Sequence, residues 1–198
     1  TQSRSSAASD VYKRQHHIEA MRLLADIGMK LGILDDAEYL LESASEFSPD
    51  NTFVTIDYIQ VLRKKQKFDL ARQKAKTLLE QTPNNPQYKS IYAVECMQCG
   101  DFDTAIDLFD EVLQQLPGDP ITLTSRGHAL KTKGQFDAAV ESYRDAIKSR
   151  ANHGEAYYSL ANLKRYEFEK DELKQMLALD KVSDLDHKEK TFLSFALG

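Results

Sequence analysis

The sequence predicts an all-α fold, a right-handed superhelix of antiparallel helix pairs known as an α-solenoid. One short phrase recurs as GILDDA, QKFDLA, GDFDTA and GQFDAA, and each copy begins 34 residues after the one before. This interval is the period of a helix-turn-helix repeat. Between the phrases, apolar residues recur at helical spacing, while glycine and proline are sparse, with 8 and 5 copies. The 198 residues are therefore predicted to form one array of repeats.

The first residues of the chain do not fit the repeat. Residues 1–10 are polar and rich in serine, and no apolar periodicity precedes Ile18. We interpret them as a non-native or disordered leader and leave them out of the fold prediction. Adjacent His16 and His17 do not share a helix face, so a metal-binding pair is not favoured. Residues 11–153 are predicted to hold four repeats, as units 18–51, 52–85, 86–119 and 120–153.

The third unit shows how local signals predict each helix. Asn85 can cap the first helix, and Pro86 suits its first turn, where a missing N–H costs nothing. Gly100 is expected to end that helix because glycine tolerates a positive φ angle. Asp103 is expected to cap the second helix and to favour its dipole. Pro117 then closes the unit.

Small residues inside the helices are predicted to let each pair pack closely. In the third unit these are Ala93 and Ala105, because a larger side chain at either position would push the two helices apart. Other units depart from the pattern. Gln66 replaces the turn glycine, Ile59 is large where the other units have a small residue, and Ala151 replaces the closing proline. The second unit is therefore expected to pack less tightly.

From residue 18 to residue 153 the pattern resembles the tetratricopeptide repeat family, because small, aromatic and turn residues recur in register. The resemblance implies a superhelix that binds extended peptides or helices along a concave groove lined by the first helices. Residues 154–198 are predicted to hold a fifth, divergent helix pair and the truncated start of a further repeat. The first helix of this pair is predicted in GEAYYSLANLKRYEF, and the second is expected to be irregular. On this interpretation the chain is a fragment of a longer protein.

The phrases AYYSLANLKRYEF and FLSFALG, in that order, resemble a narrower group, the bacterial proteins in which tetratricopeptide repeats precede a sulfotransferase domain. In that group the enzyme domain binds the sulfate donor through a phosphate-binding loop. No such segment, and no other glycine-rich phosphate-binding sequence, occurs in this chain. A second function hypothesis follows from the resemblance: the chain is the N-terminal acceptor-docking or dimerisation region of a sulfotransferase whose catalytic domain lies elsewhere.

The tetratricopeptide resemblance places the second, fifth, ninth and twelfth residues of each first helix in the groove. The predicted peptide-binding residues are Phe53, Ile56, Gln60, Arg63, Ser90, Val94, Met97, Ile121, Thr124, His128, Lys131, Tyr158, Asn162 and Arg165. An apolar middle with Lys131 and Arg165 at the far end suits a segment with hydrophobic anchors and a negative end. Arg22 and Asp26 stand where the family's chaperone-tail clamp needs Lys and Asn, which argues against that ligand. The alternative is an ordinary mixed surface, or one covered by the missing domain.

The other motifs of the sequence are assigned structural roles. Cys96 and Cys99 form a Cys-x-x-Cys pair, but a zinc site needs four ligands and the end of a helix opposes thiolate formation, so we predict packing. The basic stretch at residues 63–76 has no accompanying aromatic row, which favours a solvated face over a nucleic-acid site. No arrangement of catalytic residues is recognisable, and His128 is interpreted as a contact residue rather than a base.

Composition limits the classes of partner. The formal net charge of −5 argues against nucleic acid, because phosphate binding needs a concentrated positive surface. No apolar run reaches the ~20 residues of a membrane span, and two cysteines give no disulfide framework, which favours a reducing cytoplasm. The sequence therefore predicts a bacterial, cytoplasmic, non-enzymatic scaffold that binds a protein or peptide without cofactor or metal. Self-association into a homodimer stays open as a third hypothesis.

Overall fold

The computed structural model describes the backbone of residues 2–182 and 184–198, and the side chains of this part from His17 onward. Every regular element in the described part is an α-helix. The helices are α1 (Gln2–Leu31), α2 (Leu34–Phe47), α3 (Thr52–Lys64), α4 (Phe68–Gln81), α5 (Pro86–Gln98), α6 (Phe102–Gln115), α7 (Pro120–Thr132), α8 (Phe136–Ser149), α9 (Gly154–Ala161), α10 (Lys170–Asp180) and α11 (His187–Leu197). The predicted all-α class of paired helices is therefore confirmed.

The chain divides into two compact units, residues 1–84 and residues 85–198. The first unit contains the pairs α1–α2 and α3–α4, and the second contains α5–α6, α7–α8 and the three helices that follow. Within each unit a second helix also packs against the next first helix, as α2 does on α3 and α6 does on α7. The side chains of the predicted leader, residues 1–10, and of His16 lie outside the described part of the structure. The interpretation of the leader and that of the histidine pair therefore stay predictions.

Three of the first helices are followed by a glycine with a positive φ angle. Gly32, Gly100 and Gly134 have φ angles of 78°, 82° and 78°. These angles lie in the left-handed region, which costs a residue with a Cβ about 1–2 kcal/mol. Gln66 occupies the same turn of the second repeat with a φ angle of 59°. The chain therefore keeps the turn geometry even where the sequence lacks glycine.

The helix starts confirm one predicted cap and correct another. The Asn85 side chain accepts backbone N–H groups in the first turn of α5, and Pro86 is the first residue of that helix. At α6 the cap is Asp101, whose carboxylate accepts the backbone N–H of Thr104 at 3.3 Å. Asp103 lies inside the first turn, so its predicted capping role is wrong. Aspartate in a first turn still favours the helix dipole.

Close packing within each pair depends on small residues. The second helices place alanines against their first helices with 0% exposure, at Ala37, Ala71, Ala105 and Ala139. In the fourth pair, Gly127 lies under the ring of Tyr143, where an added Cβ would come within 2.4 Å of a ring carbon. The position accepts glycine because the tyrosine ring fills the space that a Cβ needs.

Cys96 takes part in this packing as the sequence indicated. It is 0% exposed and lies in a core cluster with Ala93, Ala105 and Phe109. A buried thiol in such a cluster behaves as a small apolar side chain.

The fifth first helix is shorter than the sequence predicted. α9 ends at Ala161 after 8 residues, and Lys164 follows with a φ angle of 54°. The prediction that this helix continues through GEAYYSLANLKRYEF is therefore wrong beyond Ala161. The next helix, α10, was expected to be irregular, yet it runs for 11 residues from a capping box made by Glu169 and Glu172.

Helix α11 packs directly against α9, with their first turns side by side. An added Cβ on Gly154 would lie 2.3 Å from the backbone oxygen of Glu189. Beneath this contact, Tyr157 of α9, Met176 of α10 and Leu193 of α11 form one buried cluster. The end of the second unit is therefore a three-helix arrangement in which α11 lies on α9.

Candidate protein-binding surface

In the first unit, the predicted groove residues lie on α3 and are partly accessible. Phe53 is 63% exposed, and the Arg22 guanidinium lies 5.2 Å from the centre of its ring. Ile56 and Arg63 are half-buried, and Gln60 is exposed. This part of the predicted surface therefore consists of the exposed Phe53 ring beside the Arg22 guanidinium, with the polar side chains of Gln60 and Arg63 on the same helix.

In the second unit, the predicted residues of α5 are largely occupied by packing. Ser90, Val94 and Met97 are half-buried, and both Val94 and Met97 pack against the core cluster that contains Phe109. On α7, Ile121 is 64% exposed. Among the predicted groove residues of α5 and α7, Ile121 is therefore an accessible apolar side chain.

Thr124 was predicted to face the groove, but its hydroxyl is enclosed. The residue is 3% exposed, and its hydroxyl donates to the backbone oxygen of Pro120 at 2.8 Å. The same oxygen lies 2.8 Å from Nε2 of His153, which is itself 3% exposed. Thr124 therefore supports the fold and does not belong to an accessible surface.

Asn162 and Arg165 were assigned to the groove on the expectation that α9 continues past them. Asn162 is instead the C-cap of α9, the residue that directly follows the last helical residue. The Arg165 guanidinium lies 5.0 Å from the ring centre of Phe136 at the start of α8. Because both residues come after the last helical residue, Ala161, helical spacing no longer decides where their side chains lie.

An aromatic group with one largely exposed ring lies between α9 and α11 of the second unit. The rings of Tyr158 and Phe192 are 5.6 Å apart, and those of Tyr158 and Phe195 are 6.2 Å apart. Together with Lys188 and Thr191 these rings line a cleft of about 280 Å³, which we call the aromatic cleft. Phe195 is 69% exposed, so one wall of the cleft is open to a partner.

Sequence reasoning identified Tyr158 but missed Phe192 and Phe195. A usable signal was present, because Leu197 and Gly198 align with Tyr92 and Ala93 of the third unit. This alignment puts Phe192 and Phe195 at the second and fifth positions of a first helix in the repeat. The rule that selected Tyr158 therefore selects them as well. Their proximity to Tyr158, in contrast, depends on the direct packing of α11 on α9.

Charged groups border the aromatic cleft. The Glu155 carboxylate lies 3.6 Å from Nε2 of His128 and 3.9 Å from the Lys188 ammonium. The nearby His128, and then Lys188, hold the pKa of Glu155 below its usual range although burial opposes this. His128 also contacts the hydroxyl of Tyr143 through Nδ1 at 3.0 Å. The Glu155 carboxylate therefore lies between the His128 imidazole and the Lys188 ammonium of the same unit.

Basic residues at positions 63–76 make ion pairs and ring contacts within the first unit. Lys65 contacts both Asp35 and Glu38, and Lys67 lies 2.6 Å from Glu38. The Lys74 ammonium lies 5.5 Å from the ring centre of Tyr58. The positive charge of Lys65 and Lys67 is therefore partly neutralised by carboxylates of the same unit.

The described residues contain neither a metal-binding cluster nor a membrane-spanning helix. No group of three or more His, Cys, Asp or Glu side chains there could hold a metal ion. None of the described helices combines the length and the apolar character that crossing a membrane requires.

Comparison with known proteins gives matches along most of the chain. Residues 11–122 match the family described as the cytochrome c-type biogenesis protein H TPR domain, and residues 122–153 match a tetratricopeptide repeat. Protein O-mannosyl-transferase TMTC1 of Homo sapiens is 24% identical over 168 residues, which cover 80% of this chain and 19% of that protein. This chain therefore spans less than two thirds of that relative.

Solved structures share the fold. A thermophilic TPR protein of Thermus thermophilus superimposes with a TM-score of 0.71 at 19% identity, covering 91% of this chain and 98% of the other. A MamA protein from Desulfovibrio magneticus gives a TM-score of 0.63 at 12% identity, covering 82% and 93%. At these identities the likeness shows the helical repeat fold alone.

Proposed function

The chain belongs to the family of the cytochrome c-type biogenesis protein H TPR domain, and from that membership we propose that it is a protein-interaction scaffold that holds a partner segment on its second unit. The proposed contact surface consists of the aromatic cleft and the exposed Ile121 of α7. The single observation that carries the proposal is the aromatic group formed by Phe192 and Phe195 of α11 beside Tyr158 of α9. Aromatic residues at such surfaces dominate protein recognition.

The surface suits a macromolecular segment better than a small molecule. The cleft volume of about 280 Å³ lies just below the range of roughly 300–1,000 Å³ that pockets for small ligands occupy. The cleft is lined on one side by Phe195, which is 69% exposed and would remain largely uncovered by a small ligand. A peptide or helix that crosses α9 and α11 covers more of this apolar surface.

Site-specific photo-crosslinking tests the proposal. A photoreactive phenylalanine analogue is placed at Phe195 in one protein and at Phe47 in another, because Phe47 is 73% exposed on the second helix α2. We expect one discrete adduct from position 195 in cells of the source organism, identified by mass spectrometry and then reproduced with the purified partner. Position 47 should not give that adduct. Equal adducts at both positions, or none at position 195, would contradict the proposed surface.

Other functional expectations stay predictions. The assignment as a docking or dimerisation region of a bacterial sulfotransferase has its support in the two phrases of residues 154–198. The cytoplasmic location, the non-enzymatic character and the homodimer have their support in composition and repeat pattern. The scaffold proposal needs none of them.

A further inference from the structure

We propose that the aromatic cleft selects a segment that places one large apolar side chain against its rings and a carboxylate beside Lys188. This inference rests on the proposed function, since it names the partner chemistry of the same surface. It commits to an acidic segment with an apolar anchor, and a basic or uncharged apolar segment is the competing occupant. The argument comes from the walls of the cleft and from the charges along α11.

The walls of the cleft are apolar and supported from below. Tyr158, Phe192 and Phe195 present their rings, while the adjacent residues Tyr157 and Leu193 are both 1% exposed within the buried cluster under them. Burial raises the pKa of Tyr157 to about 12, so this support stays uncharged at any physiological pH. Because the neighbouring residues are fixed in the core, the rings are held in position before a partner arrives. Such preorganisation lowers the entropic cost of binding.

The accessible charge at the cleft is positive. The Lys188 side chain is 71% exposed and lines the cleft, and Lys190 is exposed on the same helix. The acidic residue between them, Glu189, is turned inward with a side chain 16% exposed and bonded to Arg150. Asp186 precedes the helix and accepts the backbone N–H of Lys188 at 3.1 Å. The α11 side of the cleft therefore offers an ammonium group to a partner.

The carboxylate of Glu155 does not cancel this charge. It lies 3.9 Å from the Lys188 ammonium but closer, at 3.6 Å, to Nε2 of His128. Lys188 therefore has one distant partner and a mostly solvated ammonium. A carboxylate brought by a partner can approach it directly, and electrostatic complementarity of this kind mainly decides which segment binds.

A basic segment is the less favourable occupant. Aromatic rings attract cations, but the Lys188 ammonium already lies 5.7 Å from the ring centre of Phe192. A second cation in the cleft would meet that ammonium at short range. The formal net charge of −5 on the whole chain would draw a basic peptide nonspecifically and would oppose an acidic one. Preference for an acidic peptide would therefore come from the local site.

Three labelled, capped heptapeptides test the inference by fluorescence anisotropy with the intact chain. The first is Ser-Glu-Glu-Leu-Glu-Glu-Ser, the second carries alanine in place of leucine, and the third carries lysine in place of every glutamate. We expect the first to bind about tenfold more tightly than either of the others at low salt, and its advantage over the lysine peptide to shrink as salt screens the charge. Equal binding of the acidic and basic peptides would overturn the inference.

Two charge reversals locate the preference. Lys188→Glu should reverse the order of the acidic and basic peptides, because the ammonium becomes a carboxylate at the cleft wall. Lys190→Glu makes the same change of net charge on the same helix, two residues along, and should keep the order with less than about a twofold change. Phe192→Ala should weaken the acidic leucine peptide about tenfold. An equal effect of both charge reversals would show attraction by overall charge alone and would also overturn the inference.

Failure of the inference can be distinguished from failure of the proposed function. A discrete crosslinked partner at position 195, combined with no preference for the acidic heptapeptide, would leave the scaffold surface in place and remove the acidic ligand class. Absence of the crosslinked partner would remove the scaffold surface itself.

Discussion

The carboxylate of Glu189 in α11 caps the start of α9, with Oε2 accepting the backbone N–H of Gly154 at 2.7 Å. His153, the residue that precedes α9, makes no side-chain cap of its own. The other oxygen, Oε1, accepts from the Arg150 guanidinium at 2.5 Å. A helix start is thus satisfied by a side chain 35 residues away in sequence. This contact fixes α11 on α9 and so places the aromatic residues of α11 beside Tyr158.

Removal of the Glu189 carboxylate should loosen both helices. In Glu189→Ala the Gly154 N–H loses its cap and Arg150 loses its anion, so we expect the free energy of unfolding to fall by about 1–3 kcal/mol. Amide hydrogen exchange should quicken in the first turn of α9 and throughout α11. Lys190→Ala is the matched control, because that exposed neighbour should change the free energy by less than about 0.5 kcal/mol. Equal exchange rates in the two variants would contradict the capping role.

A single methyl group at Gly154 should have a comparable effect. In Gly154→Ala the new Cβ would lie 2.3 Å from a backbone oxygen of Glu189, so α11 has to move away. We expect a loss of about 1–3 kcal/mol in the free energy of unfolding, measured by urea titration. Gly118→Ala is the control, since its Cβ would meet only the Ser149 side chain, whose hydroxyl lies 3.2 Å away, and no backbone atom of a neighbouring helix. The prediction is wrong if the two variants unfold at the same urea concentration.

Stability of the second unit should fall as the solution is acidified below about pH 6.5. Burial, and then the nearby Arg150, lower the pKa of His153 against the opposing effect of Glu189 and Glu155. Its ordinary pKa is about 6.5, so below that pH the unfolded chain takes up a proton that the folded chain resists. The stability contribution is therefore complete above about pH 6.5 and is lost as the pH falls toward the lowered value.

The hydrogen bonds of His153 agree with a lowered pKa, because they favour the neutral imidazole. Thr124 already donates its hydroxyl hydrogen to Pro120, so its oxygen accepts from Nε2–H of His153. Arg150 donates to Nδ1, which must therefore carry no proton. Urea titrations from pH 8 to pH 5 should show a steeper loss in the natural protein than in His153→Gln. Parallel curves would show that another group sets the pH dependence.

The turn at Gln66 should be improved by glycine. The residue has a φ angle of 59°, whereas the matching glycines take such angles without steric cost. Gln66→Gly should therefore stabilise the first unit by about 0.5–1 kcal/mol, the steric gain exceeding the added flexibility of the unfolded chain. Gln135→Gly is the control, because Gln135 has a φ angle of −85° and the same substitution there should destabilise. Stabilisation by both substitutions would rule out relief of the turn as the cause.

The repeat architecture could be predicted from the sequence because its signals are local. The cap at Asn85, the turn at Gly100 and the small residue at Ala105 each act within a few residues of their own helix. Their recurrence at 34-residue intervals then predicts the pairing of neighbouring helices. The cap predicted at Asp103 was wrong, but it lies only two residues from the observed cap, Asp101. Boundaries of this kind are the least certain part of any pattern-based prediction.

The candidate surface could be predicted only in part. Helical spacing selected Tyr158 and Ile121 on first helices, and the structure leaves them partly and largely exposed. The same spacing failed for Thr124, because a long-range contact with His153 encloses it, and for Arg165, because α9 ends before it. Spacing assigns a face to a residue but contains no information about what covers that face.

Local signals in the sequence are sufficient to predict an array of helix pairs, with a side-chain cap at Asn85 and a turn of positive φ at Gly100. Each of these features depends on interactions between residues close in the chain. The tertiary structure alone decided that α11 packs on α9, because the contact joins the bare backbone of Gly154 to a carboxylate 35 residues later. That contact depends on the missing side chain of Gly154 and on a backbone N–H that no neighbouring residue caps. Neither feature has a periodic signature in the sequence. It is also what brings Phe192 and Phe195 to Tyr158 and so creates the aromatic cleft.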